Sequence, residues 1–151
     1  MSLHFRYALR PSNQPVLSLG GRFSRPRPIV AVLLRGPAGD HPVDAWIDIG
    51  AEDTVFPDWV AARVGIDLTG APAGTGSGIG IAFVPLRLAE VTMRLTDGRE
   101  LREWRALVGF TAAKLRHPLL GFAGFLQFFT ATFHGDREEV ELAVNNLYPG
   151  T

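Results

Sequence analysis

Asp48 stands at the end of an apolar stretch and is followed by a turn sequence. Trp46-Ile47 precedes it and Ile49-Gly50-Ala51 follows it. A carboxylate at the end of an apolar strand is costly to bury unless it is hydrogen-bonded or paired. A following Gly-Ala pair permits a sharp turn with close approach of the backbone. Two roles are therefore open for Asp48: a functional carboxylate, or a structural one that accepts hydrogen bonds from loop amides.

A glycine-rich segment, Gly74-Thr75-Gly76-Ser77-Gly78-Ile79-Gly80, is the second feature that could take part in chemistry. It does not match the dinucleotide fingerprint Gly-x-Gly-x-x-Gly, and no strand–loop–helix unit surrounds it. Ser77 does not lie in a Gly-x-Ser-x-Gly nucleophile motif. Two interpretations remain, a hairpin tip that moves over a cleft and an exposed surface loop, and the first fits better because glycines lower the cost of lid motion.

Composition excludes several other chemistries. The 151 residues include no cysteine, which excludes disulfides, thiol nucleophiles and Cys-type metal sites. Fifteen acids balance fifteen Lys and Arg residues, so no global charge attracts nucleic acid or an anionic membrane. No apolar run of about 18 residues is present, and the N-terminus lacks an apolar signal core. We therefore expect a cytoplasmic protein without a membrane partner. We expect neither a metal nor a cofactor, because the histidines do not form a ligand pair: His4, His41, His117 and His134.

The N-terminal part of the chain carries a one-sided charge. Six arginines and no acid precede Asp40: Arg6, Arg10, Arg22, Arg25, Arg27 and Arg35. Such a basic arm suits phosphates or an acidic partner. The alternative, a set of solvated strand edges and loops, is favoured because the arginines are scattered among prolines. Binding of nucleic acid through this arm is therefore the weakest of the functional hypotheses.

The elements that must position these residues are mostly β-strands. Residues 28–34 and 41–47 predict a hairpin, and Asp97-Gly98 predicts a tight turn between strands at 90–96 and 100–108. Residues 56–64 predict a short helix. Further strands are predicted at 82–88, 130–133 and 139–144. Many short strands with one or two short helices indicate an all-β barrel or sandwich, which we place at residues 28–151. Residues 1–27 are predicted to be an extension or a first strand.

Three motifs, in this order, resemble the retropepsin-like aspartic proteases. Ile47-Asp48-Ile49-Gly50-Ala51 is similar to the active-site loop of that family, and Gly74–Gly80 lies where the family has its flap hairpin. The late triplet Leu119-Leu120-Gly121 is similar to the apolar-apolar-Gly mark of the family. The resemblance covers residues 28–145 and implies a retropepsin-like barrel with a glycine-rich flap.

The resemblance also implies a mechanism. Two carboxylates about 3 Å apart share one proton, so that one activates a water and the other polarises the peptide carbonyl. This chain has one such motif, so Asp48 would pair with its own copy in a homodimer. The implied substrate is a peptide or protein. The implied substrate-binding residues are Gly50, Ala51, Gly76, Ser77, Gly78, Ile79 and Gly80.

One position departs from the family pattern. Ile49 stands where the family has Thr or Ser, whose hydroxyl group forms a hydrogen bond across the dimer. Losing a buried hydrogen bond costs about 1 kcal/mol. The sequence therefore supports two functions, an aspartic endopeptidase and a weakened or inactive module of the same fold that binds an extended peptide.

Overall fold

The computed structural model describes residues 1–78 and 81–151, and these residues form a mostly β structure, as the sequence predicts. The described residues contain one α-helix, α1 (Asp58–Val64), and two short 3-10 helices at Leu17–Leu19 and Leu126–Phe128. The strands are β1 (Leu3–Arg6), β2 (Ala8–Val16), β3 (Arg22–Arg27), β4 (Ile29–Gly36), β5 (Gly39–Ile47), β6 (Val55–Pro57), β7 (Ala73–Gly78), β8 (Ile81–Thr96), β9 (Leu101–Thr111), β10 (Leu119–Leu120), β11 (Phe129–His134) and β12 (Glu139–Val144).

Six strands form a closed ring in the order β4-β5-β10-β6-β9-β8, and β8 pairs again with β4. The predicted hairpins are present: β4 pairs antiparallel with β5, and the Asp97-Gly98 turn connects β8 to β9. The two strands predicted at 82–88 and 90–96 are a single long strand, β8. Its first part pairs with β7, and its later part pairs with β4 through residues 92–94.

The ring closes around an apolar core because its strands alternate. On β5, Val43, Ala45 and Ile47 are buried, and the residues between them are more exposed. Such an alternation places every second side chain on the core face of a sheet. The largest fully buried side chains in this core are Trp104, Phe56, Phe110 and Phe125.

Residues 1–27 form three strands outside the ring. β1 adds to β12 in the sheet β1-β12-β11, and its residue Leu3 belongs to the hydrophobic core. β2 and β3 pair only with each other, as a two-stranded ribbon.

Two local differences from the sequence predictions concern element ends. The predicted helix at 56–64 begins at Asp58, because Phe56 and Pro57 pair with β9 instead. It ends at Val64, and Gly65 follows it, as predicted, with a φ of 82° that favours glycine. The glycine-rich segment forms β7 and pairs with β8, while Ile79 and Gly80 lie outside the described residues. None of the described helices has the length and apolar character to cross a membrane.

Candidate active site

The loop of residues 48–54 connects β5 to β6 and lies against β10. β10 lies between these two strands, parallel to β5 and antiparallel to β6. Leu119 is opposite Trp46 on one side and Val55 on the other. The structure therefore brings the Asp48 motif and the Leu119-Leu120-Gly121 motif together, although about 70 residues separate them along the chain.

Three hydrogen bonds fix the position of Asp48. Its backbone N–H donates to the carbonyl of Leu120 at 3.0 Å, and its carbonyl accepts from Ala51 N–H at 3.2 Å. The side-chain Oδ1 accepts the N–H of Gly50 at 2.8 Å. A Cβ at position 50 would lie only 3.2 Å from this oxygen, so glycine fits the turn best. The Asp48 carboxylate is partly exposed, with one oxygen oriented by the loop.

Gly121 allows β10 to approach the loop closely. A Cβ at this position would lie 2.2 Å from the carbonyl oxygen of Asp53 and 2.7 Å from that of Ala51. The next residue, Phe122, donates its N–H to the Ala51 carbonyl at 2.9 Å. A side chain larger than hydrogen at Gly121 would therefore force the loop and β10 apart.

Thr54 is a site residue that the sequence analysis missed. It is fully buried, and its Oγ1 accepts the N–H of Gly121 at 3.2 Å. Its carbonyl accepts the N–H of Gly109 on β9 at 2.8 Å, and its N–H donates to Ala123. Thr54 thus joins the loop, β9 and the segment after β10. The sequence signal for it was a hydroxyl residue immediately before the apolar pair Val55-Phe56.

Two large apolar side chains that follow the two motifs in sequence are exposed. Ile49 is 78% exposed and Phe122 is 60% exposed. The other nearby aromatic residues behave differently: Phe125 and Phe129 are buried against Trp104, whose indole N–H donates to the Gly124 carbonyl at 3.0 Å. The exposed pair lies in sequence directly beside Asp48 and Gly121.

The residues predicted to bind substrate fall into two separate groups. Gly50 and Ala51 lie in the Asp48 loop, and Ala51 is buried with both backbone groups hydrogen-bonded. Gly76, Ser77 and Gly78 lie on β7, at the edge of the sheet. No described hydrogen bond connects β7 to the Asp48 loop. The last two predicted residues, Ile79 and Gly80, are those outside the described part of the chain.

Metal-ligating clusters and cavities are the other features that could support chemistry. Within 1–78 and 81–151, no group of three or more His, Asp or Glu side chains is placed to hold a metal ion. A cavity of about 640 Å³ is lined by the ion-paired residues Arg35, Asp40 and Glu103 and does not include Asp48.

Comparison with known proteins adds no assignment. Neither a protein-family model nor a curated protein sequence matches this chain.

Proposed function

We propose that this protein is an aspartic endopeptidase that works as a homodimer, with one Asp48 from each chain. The observation that carries the proposal is the Asp48 loop itself. A partly exposed carboxylate, oriented by the N–H of Gly50, lies at the start of a loop that β10 and the segment after it hold through backbone hydrogen bonds and through Thr54. A carboxylate held in place but open on one side is suited to act on an external substrate.

A pair of such loops would supply the chemistry of peptide hydrolysis. Two carboxylates brought within about 3 Å cannot both ionise easily, so the pair keeps one proton over a range of pH. The ionised Asp48 then takes a proton from water, and the protonated Asp48 donates to the peptide carbonyl oxygen. The resulting titrations belong to the pair and not to either residue.

The surface around Asp48 supports the homodimer. A two-fold axis places the same patch of each chain in contact with itself. Ile49 and Phe122 are exposed in one chain and would be covered in this contact. Apolar area removed from water contributes about 25 cal/mol per Å². Packing of Ile49 against its copy is thus our proposed replacement for the hydroxyl hydrogen bonds typical of the family.

The hairpin of β7 and β8 is the proposed flap. Its strands pair from Ala73 opposite Arg87 to Gly78 opposite Ile81. Glycines at positions 74, 76 and 78 leave one strand with little side-chain packing, which lowers the cost of movement. Backbone groups of this strand would pair with an extended substrate.

Replacement of Asp48 by Asn tests the proposal. The amide side chain would keep the size of the carboxylate and the acceptor for Gly50 N–H but would remove the proton exchange. We expect Asp48→Asn to reduce cleavage of a denatured peptide pool by at least about 100-fold. The matched control is Asp136→Asn, in the exposed turn between β11 and β12. Equal cleavage by wild type and Asp48→Asn would exclude the proposed role of Asp48.

The second candidate function is a peptide-binding module that does not cut, and exposed Ile49 favours it. Ile49 cannot form the hydroxyl hydrogen bond that aligns two such loops. Ile49→Thr separates the two functions. If wild type is a module that lacks only this alignment, wild type does not cleave peptides and Ile49→Thr does. If wild type is a working protease, it cleaves peptides without the substitution. The double variant Asp48→Asn/Ile49→Thr is the control, because any gained cleavage must disappear in it.

A further inference from the structure

One face of the β2–β3 ribbon carries three arginines. Arg10 is directly opposite Arg25, and Arg27 follows Arg25 by two residues on the same strand. Directly opposed residues and alternate residues of a strand share a face, so all three side chains lie on one side of the ribbon. Arg22 is on the other face and pairs with Glu138. Like charges directly opposite each other destabilise a strand pair, so the pairing of Arg10 with Arg25 is unfavourable for the stability of the ribbon.

The arginine-bearing face reaches β5 and the segment before β10. Arg27 Nη1 is 3.1 Å from His117 Nε2, and the Arg27 guanidinium lies 5.0 Å from the centroid of the Trp46 ring. Burial lowers the pKa of His117, and the nearby charges of Arg27, Arg10 and Arg116 lower it further. We name Arg10, Arg25, Arg27, Arg116 and His117 the cationic cluster.

The cationic cluster has no carboxylate partner among the residues that the structure describes. Within the described residues, none of its four arginines forms a salt bridge, and the buried Nε of Arg10 has no hydrogen-bond partner. A buried donor without a partner costs free energy unless a ligand accepts from it. Five other arginines are paired with carboxylates within 3.2 Å: Arg22, Arg35, Arg94, Arg102 and Arg105.

The cationic cluster is linked to the Asp48 loop through Trp46. Arg27 and His117 both contact Trp46, which lies on β5 two residues before Asp48. His117 is followed by Pro118, whose carbonyl accepts the N–H of Trp46 at 2.9 Å. An extended peptide advances about 3.3 Å per residue. A peptide centred on Asp48 would therefore bring a nearby side chain to the cationic cluster.

We infer that the cationic cluster binds a side-chain carboxylate of the peptide, so that acidic residues are selected close to the bond that is cut. The inference rests on the proposed function, because it takes the ligand to be the substrate. Guanidinium groups bind carboxylates through two parallel hydrogen bonds, and several arginines on different elements can surround one carboxylate.

A peptide fits these observations better than a nucleic acid. Arg27 lies over the Trp46 ring and His117 packs against that ring in a T-shaped arrangement, so a base stacking on Trp46 would have to compete with contacts already made. Glu138 pairs with Arg22 on the other face of the ribbon, where its carboxylate disfavours a phosphate backbone. A compact cluster also lacks the extended basic stripe of a nucleic-acid surface.

The first test measures binding without cutting. Fluorescently labelled decaglutamate is titrated into Asp48→Asn protein at low salt, with decathymidylate as the second probe. We expect decaglutamate to bind and Arg27→Gln/Arg116→Gln to weaken its binding by about tenfold or more. The control Arg63→Gln/Arg99→Gln removes the same charge from exposed arginines elsewhere and should change it less than about threefold. Absent decaglutamate binding, equal losses in both variants, or tighter binding of decathymidylate would overturn the inference.

The second test reads the cut sites of wild type in a denatured peptide pool. Enrichment of Asp or Glu near the cuts, lost in Arg27→Gln/Arg116→Gln, supports the inference. Cuts without acidic preference contradict it and leave the protease proposal intact. Decaglutamate binding without any cuts contradicts the protease proposal and leaves the binding site intact, so the two failures are distinguishable.

Discussion

Gly121→Ala should destabilise this protein strongly, because backbone atoms occupy the space that the added Cβ needs. The Cβ would lie 2.2 Å from the carbonyl oxygen of Asp53 and 2.7 Å from that of Ala51. Neither carbonyl is the end of a flexible side chain, so β10 and the Asp48 loop must separate. The separation would also stretch the hydrogen bond from Gly121 N–H to Thr54.

The expected loss of stability in Gly121→Ala follows from the cost of adding a methyl group where no space is available. Forced backbone shifts cost about 1–3 kcal/mol, and the loss of a buried hydrogen bond adds about 1 kcal/mol. A total of about 3 kcal/mol lowers the melting temperature of a domain this size by about 6–12 °C. Circular dichroism during heating and during urea titration measures the change.

Gly135→Ala is the matched control. A Cβ at Gly135 meets no atom within 4 Å, so the same chemical change should be nearly neutral. If Gly121→Ala and Gly135→Ala melted at the same temperature, β10 would not be packed closely against the Asp48 loop. The positioning of Asp48 by β10 would then be wrong.

Two further predictions concern stability. Thr54→Val removes the acceptor for the buried Gly121 N–H and should cost about 1–3 kcal/mol in urea unfolding, whereas Thr54→Ser should keep most of the stability. Burial raises the pKa of Asp97, but N–H donors of Glu100, His4 and Arg99 outweigh it and lower this pKa to about 2. Because the pKa is lower in the folded state, Asp97 adds stability above its ordinary value of 3.8, and this is lost as the pH falls toward 2. The stability difference between wild type and Asp97→Ala should thus be largest near pH 6 and should shrink steadily as the pH is lowered from 4 through 2; a constant difference would contradict this role of Asp97.

The mostly β architecture could be predicted because its signals are local. The strand ending at Ile47, the Asp97-Gly98 turn and Gly65 after α1 each act through neighbouring residues. The junction at residue 57 could not be placed, since pairing of Phe56 with Phe110 on a distant strand decides it. Long-range pairing overrides local propensity at such a position.

The sequence motifs of the candidate site could be predicted, but the way in which the fold brings them together could not. Asp48 and Gly121 were recognisable from their motifs, but insertion of β10 between β5 and β6 depends on contacts distant in sequence. Thr54 gave only a weak signal, since one hydroxyl residue in an apolar run does not reveal its partner. The same holds for Arg27 and His117, which are 90 residues apart in sequence and come together only in the folded chain.

The most direct test of the central proposal is to mix wild type with Asp48→Asn at constant total concentration, after the subunits have exchanged, and to measure peptide cleavage. If each site needs Asp48 from two chains, activity follows the square of the wild-type fraction. An equal mixture should then retain about one quarter of the activity of wild type alone. Retention of about one half would show that each chain carries a complete site, and would contradict the shared Asp48 pair.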